Sequence, residues 1–307
     1  MRYRLGTRQS DLALTQSKWV QTKLQALGIE CDLVPILSRG DQDQKTALYE
    51  AEASAPGWFT KQLEIALLDG SVDLAVHSLK DLPTLQPEGL KLACIPERRN
   101  PADCLLIHPA AWAPGGTLPL IQGAKVGTSS LRREAELLSE RKDLTVLPVR
   151  GNVPTRLEKL RKREYDAVVF AAAGLERLGA DTQDLHHVPL DPSLFVPAPG
   201  QGALGVEIRE DAPAPLQEAL ARLHQAAVAR ETRLERQILR ELEGGCTLPL
   251  GVLCTQQGSG LKIVAFLGKK LENQAGHSWT GFERFDISGS DEQYLVAETL
   301  KYFRKGT

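Results

Sequence analysis

VGTSSLRR, residues Val126–Arg133, is the stretch that decides the fold: an apolar strand end, a Gly-Thr turn, two hydroxyls, and paired arginines where a helix begins. A shorter echo, LGTRQS at Leu5–Ser10, makes the same passage from strand to helix. A turn that enters a helix presents unpaired backbone N–H groups and the positive end of the helix dipole, which is a site for a carboxylate or phosphate. Two such passages suggest two α/β lobes, although an echo this short does not by itself establish duplication. Taken alone, VGTSSLRR reads equally well as an ordinary capped helix with solvated arginines.

Working outward, short apolar runs alternate with amphipathic stretches: CDLVPIL, KQLEIALLDG and DLAVHSL, then KVGTS, LTVLPV, a basic helix and DAVVFAA. This alternation predicts layers built on mostly parallel sheets. In the helix after Ser10, that serine caps the start, Val20, Leu24 and Leu27 share a face, and Gly28 ends it. Two proline-rich crossings, PERRNP at Pro96–Pro101 and FVPAPGQG at Phe195–Gly202, predict a chain that leaves one lobe, builds another and returns through a double hinge beside a cleft. From about Pro215 a long helical segment carries Leu234, Ile238 and Leu242 at spacings of four and ends at Gly244 and Gly245. Strand-like runs GVLCT, KIVAFL and HSWTGF follow, then a helix near 291–303. The expected architecture is α/β with three domains: 1–96 with 196–213, 102–190, and an α+β domain at 217–307.

The bulk numbers narrow the function. At 307 residues, with 42% hydrophobic and 25% charged residues, the chain has the composition of a globular protein with room for several cores. Lys+Arg 37 against Asp+Glu 39 gives a net charge of -2, so a protein that coats nucleic acid is excluded and any anion site is local. Five scattered cysteines, Cys31, Cys94, Cys104, Cys246 and Cys254, lack disulfide or metal spacing and predict reduced thiols and no metal. Periodic structure starting near Met1 leaves no room for a leader, and no apolar run reaches spanning length, so a cytoplasmic protein without a membrane partner is expected.

Candidate functional residues cluster where strands are expected to end. Arg132 and Arg133 offer bidentate pairing, and Ser129 and Ser130 can cap or donate. Arg8 and Ser10 are the counterparts in the echo, while Arg150, Arg156 and Arg177 follow further strand-to-helix passages. Arginines recurring beyond successive strands favour an anion with many arms. By contrast, Arg161, Lys162 and Arg163 read as a solvated helix face. VHSLKDLPT, Val76–Thr84, delivers Lys80 and Asp81 to a turn closed by Pro83, either as acid/base groups or as a surface ion pair. His77 reads as a buried strand residue with no catalytic part. Cys246, in EGGCTLPLG, sits after two glycines as a nucleophile, an attachment point or a small buried thiol, and spacing does not choose among these.

In order along the chain, GTRQSDLALTQ, SRGD, VHSLKDLP, GTSSLRR, RGNVPTRL, AAAGLERLG, PAPGQGALGVE and LEGGCTLPLG closely resemble the porphobilinogen deaminase (hydroxymethylbilane synthase) family. The resemblance implies two similar lobes like type II periplasmic binding proteins plus a C-terminal domain, acting as a monomer. It further implies a dipyrromethane cofactor held through a thioether at Cys246, four porphobilinogen units joined head to tail with loss of ammonia, and hydrolysis to hydroxymethylbilane. The anion is then an oligopyrrole bearing an acetate and a propionate on every ring. Matching motifs imply that Asp81 is catalytic and that Lys80, Ser129, Arg132 and Arg133 contact the cofactor. Arg8, Ser10, Thr128, Arg150, Arg156 and Arg177 are implied to bind substrate. The chain departs from the family pattern in the lid between SRGD and the helix containing Lys61: Glu50–Trp58 reads EAEASAPGW, acidic where family members carry glycine and lysine. A two-lobed anion receptor without chemistry is the competing reading, and it requires neither Asp81 nor a modified Cys246.

Overall fold

The computed structural model describes residues 2–37, 60–242, 248–273 and 276–304. The first sheet is formed by β1 (Arg2–Arg8), β2 (Glu30–Ile36), β3 (Leu74–Ser78), β4 (Leu90–Cys94) and β10 (Leu204–Arg209). The second is formed by β5 (Asp103–Ile107), β6 (Lys125–Gly127), β7 (Thr145–Leu147), β8 (Ala167–Ala171) and β9 (His186–Pro189). Their strand orders are β2-β1-β3-β10-β4 and β7-β6-β8-β5-β9. Each has three parallel strands followed by one antiparallel strand, β10 or β5, which pairs on both sides. In both cases that strand arrives directly from a crossing, so each lobe is completed by chain returning from the other. The echo between LGTRQS and VGTSSLRR therefore occupies equivalent places, the ends of β1 and β6.

Local sequence explains the flanking helices. Ser10 caps α1 (Asp11–Gln25), its Oγ accepting from the N–H of Ala13 at 3.4 Å, and Gly28 follows with φ +83°. Ser130 caps α3 (Leu131–Glu140), and Asn152 caps α4 (Val153–Arg161) by accepting from the N–H of Thr155 at 3.0 Å. Helices α2 (Lys61–Leu68) and α5 (Ala172–Leu178) complete the two lobes. Strand β5, DCLLI, is buried along its whole length, and each fully buried Leu or Ile there contributes about 1.5–3 kcal/mol. Asp103, at its start, is the one charged residue in that run.

The helical segment expected to open the third domain is two helices. Leu216, Ala219 and Leu220 of α6 (Ala214–Leu223) join the core of the first lobe with Leu5, Val20 and Val206. The third core begins with α7 (Ala226–Glu241), whose Leu234 and Ile238 pack on β11 (Leu250–Gln257), β12 (Gly260–Asn273) and α8 (Glu292–Arg304). Strand β13 (Gly276–Gly289) completes an antiparallel sheet of three.

The third unit is locked to both crossings through one side chain. Glu235 of α7 is fully buried and accepts from Arg98 Nη1 at 2.7 Å, the N–H of Gly200 at 2.7 Å and the N–H of Cys254 at 2.9 Å. Gly202 lies beside this point with φ +85°, and a Cβ there would stand 2.5 Å from the carbonyl oxygen of Arg99, so only glycine lets the two crossings approach.

Candidate active site

The C-terminal ends of β1, β3, β6 and β8 open into one cleft of about 590 Å³ between the lobes. Its charged lining among the described residues is Arg8, Lys80, Arg132, Arg133, Arg150 and Arg156 against Asp11 and Asp81. Ligands of open α/β sheets gather beyond the carboxyl ends of strands, and here that rule operates from both sides at once. Leu239 of α7 and Leu248 and Leu250 line the same cleft, so the chain on both sides of 243–247 borders it. Cys246 lies outside the described residues, as do SRGD and the acidic Glu50–Trp58 stretch.

The turn that carries Lys80 and Asp81 follows directly from β3. Leu79–Asp81 form one turn of 3-10 helix, with Leu79 and Leu82 buried against Ile95, Ala203, Val228 and Ala229. This leaves Lys80 and Asp81 on the cleft side. Lys80 Nζ donates to Gln201 Oε1 at 3.2 Å. Burial, followed by the field of Arg133, pulls the Lys80 ammonium down to about 8. His77 is buried beneath the turn with its Nε2 3.2 Å from Glu207 Oε2, away from the cleft.

The paired arginines are less available than their sequence suggests. Asp103 accepts from Arg132 Nη2 at 2.8 Å and from Arg133 Nη2 at 2.7 Å. Arg132 Nη1 also donates to Glu136 Oε2 and to the carbonyl of Val196, each at 2.8 Å. Arg133 Nη1 reaches the carbonyl of Val169 at 3.2 Å. The two guanidinium groups hold the Asp103 carboxyl far below the usual carboxylate range, despite its burial. Burial instead pushes Glu136 up to about 8, against the pull of Arg132. Asp103 thus spends one negative charge to orient two positive ones, leaving a rigid cationic floor. Gln201 Nε2 donates to Asp103 Oδ1 at 2.7 Å, so a single amide connects Lys80 of one lobe to Asp103 of the other.

Around this floor, Arg156 Nε donates to the carbonyl of Gly151 at 2.8 Å, and burial together with Arg133 and Arg150 pulls its guanidinium down to about 10. Thr128 Oγ1 accepts from the N–H of Ser130 at 3.1 Å. Ser129 Oγ donates to the carbonyl of Val149 at 2.8 Å and accepts from its N–H at 3.1 Å, so this hydroxyl shapes the loop. Among the described sequence candidates, Arg177 is the exception: it does not line the cleft. Its Nη2 donates to the carbonyl of Gly202 at 2.8 Å and to Glu97 Oε1 at 3.1 Å, tying the two crossings together. Near the far end of α5, it stands well over a turn beyond the end of β8.

Sequence reading missed Asp103, Glu136 and Gln201. An acidic residue opening the apolar run DCLLI was the available signal for Asp103; nothing local marks the other two. The remaining described cysteines, Cys31, Cys94, Cys104 and Cys254, are buried free thiols. Burial pushes them up to about 11, 12, 12 and 12 respectively, so none is a ready thiolate.

The fold and cleft define a two-lobed α/β protein with a cleft lined mostly by cationic side chains, and a third domain built around the helix that precedes Cys246 in the sequence. A family profile described as "Porphobilinogen deaminase, dipyromethane cofactor binding domain" matches residues 3–217, and one described as "Porphobilinogen deaminase, C-terminal domain" matches 229–276. The chain is 45% identical over 270 residues to the porphobilinogen deaminase of Syntrophotalea carbinolica, covering 87% of this chain and 82% of that one. It is 44% identical over 268 residues to that of Geobacter sulfurreducens, covering 87% and 81%. A solved VFT2 domain of BvgS from Bordetella pertussis aligns at 10% identity and TM-score 0.45, over 72% of this chain and 86% of that one. The chain belongs to the porphobilinogen deaminase family. Its activity is that of a transferase, hydroxymethylbilane synthase: it condenses four porphobilinogen molecules head to tail on a covalently bound dipyrromethane, with release of ammonia and final hydrolysis to hydroxymethylbilane.

Proposed function

We propose that Asp81 is the catalytic carboxylate of this reaction and that Cys246 carries the dipyrromethane. Lys80, Arg132 and Arg133, with the loop shaped by Ser129, receive the carboxylates of the cofactor. Arg8, Ser10, Thr128, Arg150 and Arg156 receive those of the substrate, and Arg177 serves them through the crossings. The observation that carries this reading is a cleft lined by six cationic side chains, two of which, Lys80 and Arg156, are held below their ordinary pKa by burial and next by the field of Arg133. Two unit charges 4 Å apart repel by about 4 kcal/mol at an effective dielectric of 20, so like charges are assembled only where a ligand of opposite sign relieves them. The donor set fits a dipyrromethane: its acetate and propionate groups match the guanidinium floor, and its apolar ring faces match Leu239, Leu248 and Leu250.

The bound dipyrromethane supplies the nucleophilic pyrrole carbon on which condensation occurs. Loss of ammonia from porphobilinogen leaves an electron-poor azafulvene protonated on nitrogen. Asp81 makes no hydrogen bond to another described residue, and its carboxylate is available to face the pyrrole N–H and steady that cation. The same group accepts and returns the protons of deamination and ring coupling. Addition of porphobilinogen to the purified protein is expected to increase its intact mass one pyrrole unit at a time, with one ammonia released per increment. Unchanged mass with substrate bound would favour the receptor reading and overturn this one.

Lys80 gives the site a pH dependence of definite sign. Ligand carboxylates favour the ammonium form, so binding is strongest below about 8 and weakens as pH rises through that value. The folded pKa lies below the unfolded 10.5, so the empty protein bears a cost at neutral pH that fades as pH rises from about 8 past 10.5. We expect the gain in Tm that the bound cofactor gives over the cofactor-free Cys246→Ser protein to shrink above pH 8 with Lys80 present and to stay flat over the same range in Lys80→Arg. Parallel profiles for the two proteins would remove Lys80 from the ligand contacts.

We assign residues 1–96 with 196–213 to the first domain and 102–190 to the second, with α6 packed on the first and the third beginning at α7. A monomer in the cytoplasm completes the reading, and the five scattered cysteines, which lack disulfide spacing, support the reducing compartment.

A further inference from the structure

Arg236 has no part in the roles assigned so far, yet it is 8% exposed and sits on α7, ten residues before Cys246. Its Nη1 donates to the carbonyls of Leu79 at 3.1 Å and Leu82 at 2.8 Å, and its Nη2 to the carbonyl of Pro83 at 2.7 Å. These three carbonyls bracket Lys80 and Asp81. Among the described residues no carboxylate pairs with Arg236, and burial pulls its guanidinium down to about 10. A buried cation without a carboxylate is an expensive way to hold a helix, since desolvation costs several kcal/mol per ion. Apolar packing of Leu79 and Leu82 against Val228 and Ala229 already joins α7 to this turn. What packing does not supply is direction. The planar guanidinium has donors at fixed angles, so three carbonyls bound to it have their peptide planes fixed, and with them the orientation of the side chains between.

We propose that Arg236 is a positioning residue for the reaction: it fixes the Lys80–Asp81 turn to the helix that leads into the cofactor cysteine. The carboxylate is then held to α7, whose last residue, Glu241, stands five positions before Cys246 in the sequence, and its place does not depend on the two lobes alone. Without it, the turn remains seated by its leucines, but the peptide planes on either side of Asp81 are released. Displacing a reacting group by about 1 Å costs on the order of 100-fold in rate. Lysine offers donors but no plane, so it recovers part of the effect.

This inference rests on Asp81 being the catalytic carboxylate, and the test separates the two. Arg236→Met, Arg236→Lys and Asp81→Asn are compared with the native holoenzyme for cofactor content by intact mass, kcat per cofactor-bearing molecule, KM, and hydrogen exchange of the peptide containing residues 78–84. Arg236→Met is expected to speed exchange in that peptide and to lower kcat on the order of 100-fold with KM little changed, and Arg236→Lys to lower kcat about tenfold. Should Arg236→Met fail to fold, Arg236→Lys decides by the same readouts. A kcat per cofactor-bearing molecule within about twofold of native, or a loss explained wholly by missing cofactor, overturns the inference while an inactive Asp81→Asn leaves the catalytic assignment standing. An active Asp81→Asn removes the assignment itself.

Discussion

Asp81→Asn is expected to fold, to retain its covalent dipyrromethane and to turn over porphobilinogen about 1,000-fold more slowly than the native enzyme. The substitution preserves shape, and the turn that carries it is seated by Leu79 and Leu82 and by Arg236, none of which depends on the Asp81 carboxylate. What is lost is one negative charge in a cleft otherwise dominated by cations. The azafulvene nitrogen becomes positive as ammonia leaves, and in a field of arginines that step is opposed unless a carboxylate stands beside the ring. An amide offers only a dipole there and has no basic site for the departing proton. A steady-state ammonia assay checks this, and an unimpaired rate would refute the role of Asp81.

The second large effect belongs to the attachment point. Cys246→Ser is expected to yield a protein whose intact mass lacks the dipyrromethane and whose activity is abolished. A thiol ionises near 8.5 and is intrinsically nucleophilic toward an electron-poor carbon, whereas a hydroxyl without an adjacent base is not. No other described cysteine can substitute, because burial keeps Cys31, Cys94, Cys104 and Cys254 protonated and enclosed. Ehrlich's reagent gives an independent readout, colouring the native protein and leaving the variant colourless. A serine variant carrying the adduct would place the attachment elsewhere.

Much of the local structure is legible in the sequence. Capping at Ser10 and Ser130, the crossings at Pro96–Pro101 and Phe195–Gly202, and the apolar alternation of the parallel strands are local signals, because each depends on neighbours within a turn or on a period of two or 3.6. The cationic candidates were legible for the same reason: a residue just past a strand is identified by the strand. The segment from Pro215 reads as one long helix because α6 and α7 have the same helical periodicity, and only packing assigns one to the first lobe and the other to the third core.

The sequence alone indicated most strand and helix positions and an α/β architecture, since these follow from short-range pattern, while the expectation of two lobes holding a polyacid came with the ordered motifs of the family resemblance. The tertiary structure decided how the cationic residues share charge. Asp103 neutralises part of Arg132 and Arg133, Gln201 joins the lobes, Arg177 turns to the crossings, and Glu235 and Arg236 bind the third domain to the crossings and to the Lys80–Asp81 turn. Each of these contacts joins residues about 25 to 160 positions apart, where no periodicity carries information. Electrostatic interaction depends on distance through space and on burial, and both are set only once the chain has closed on itself.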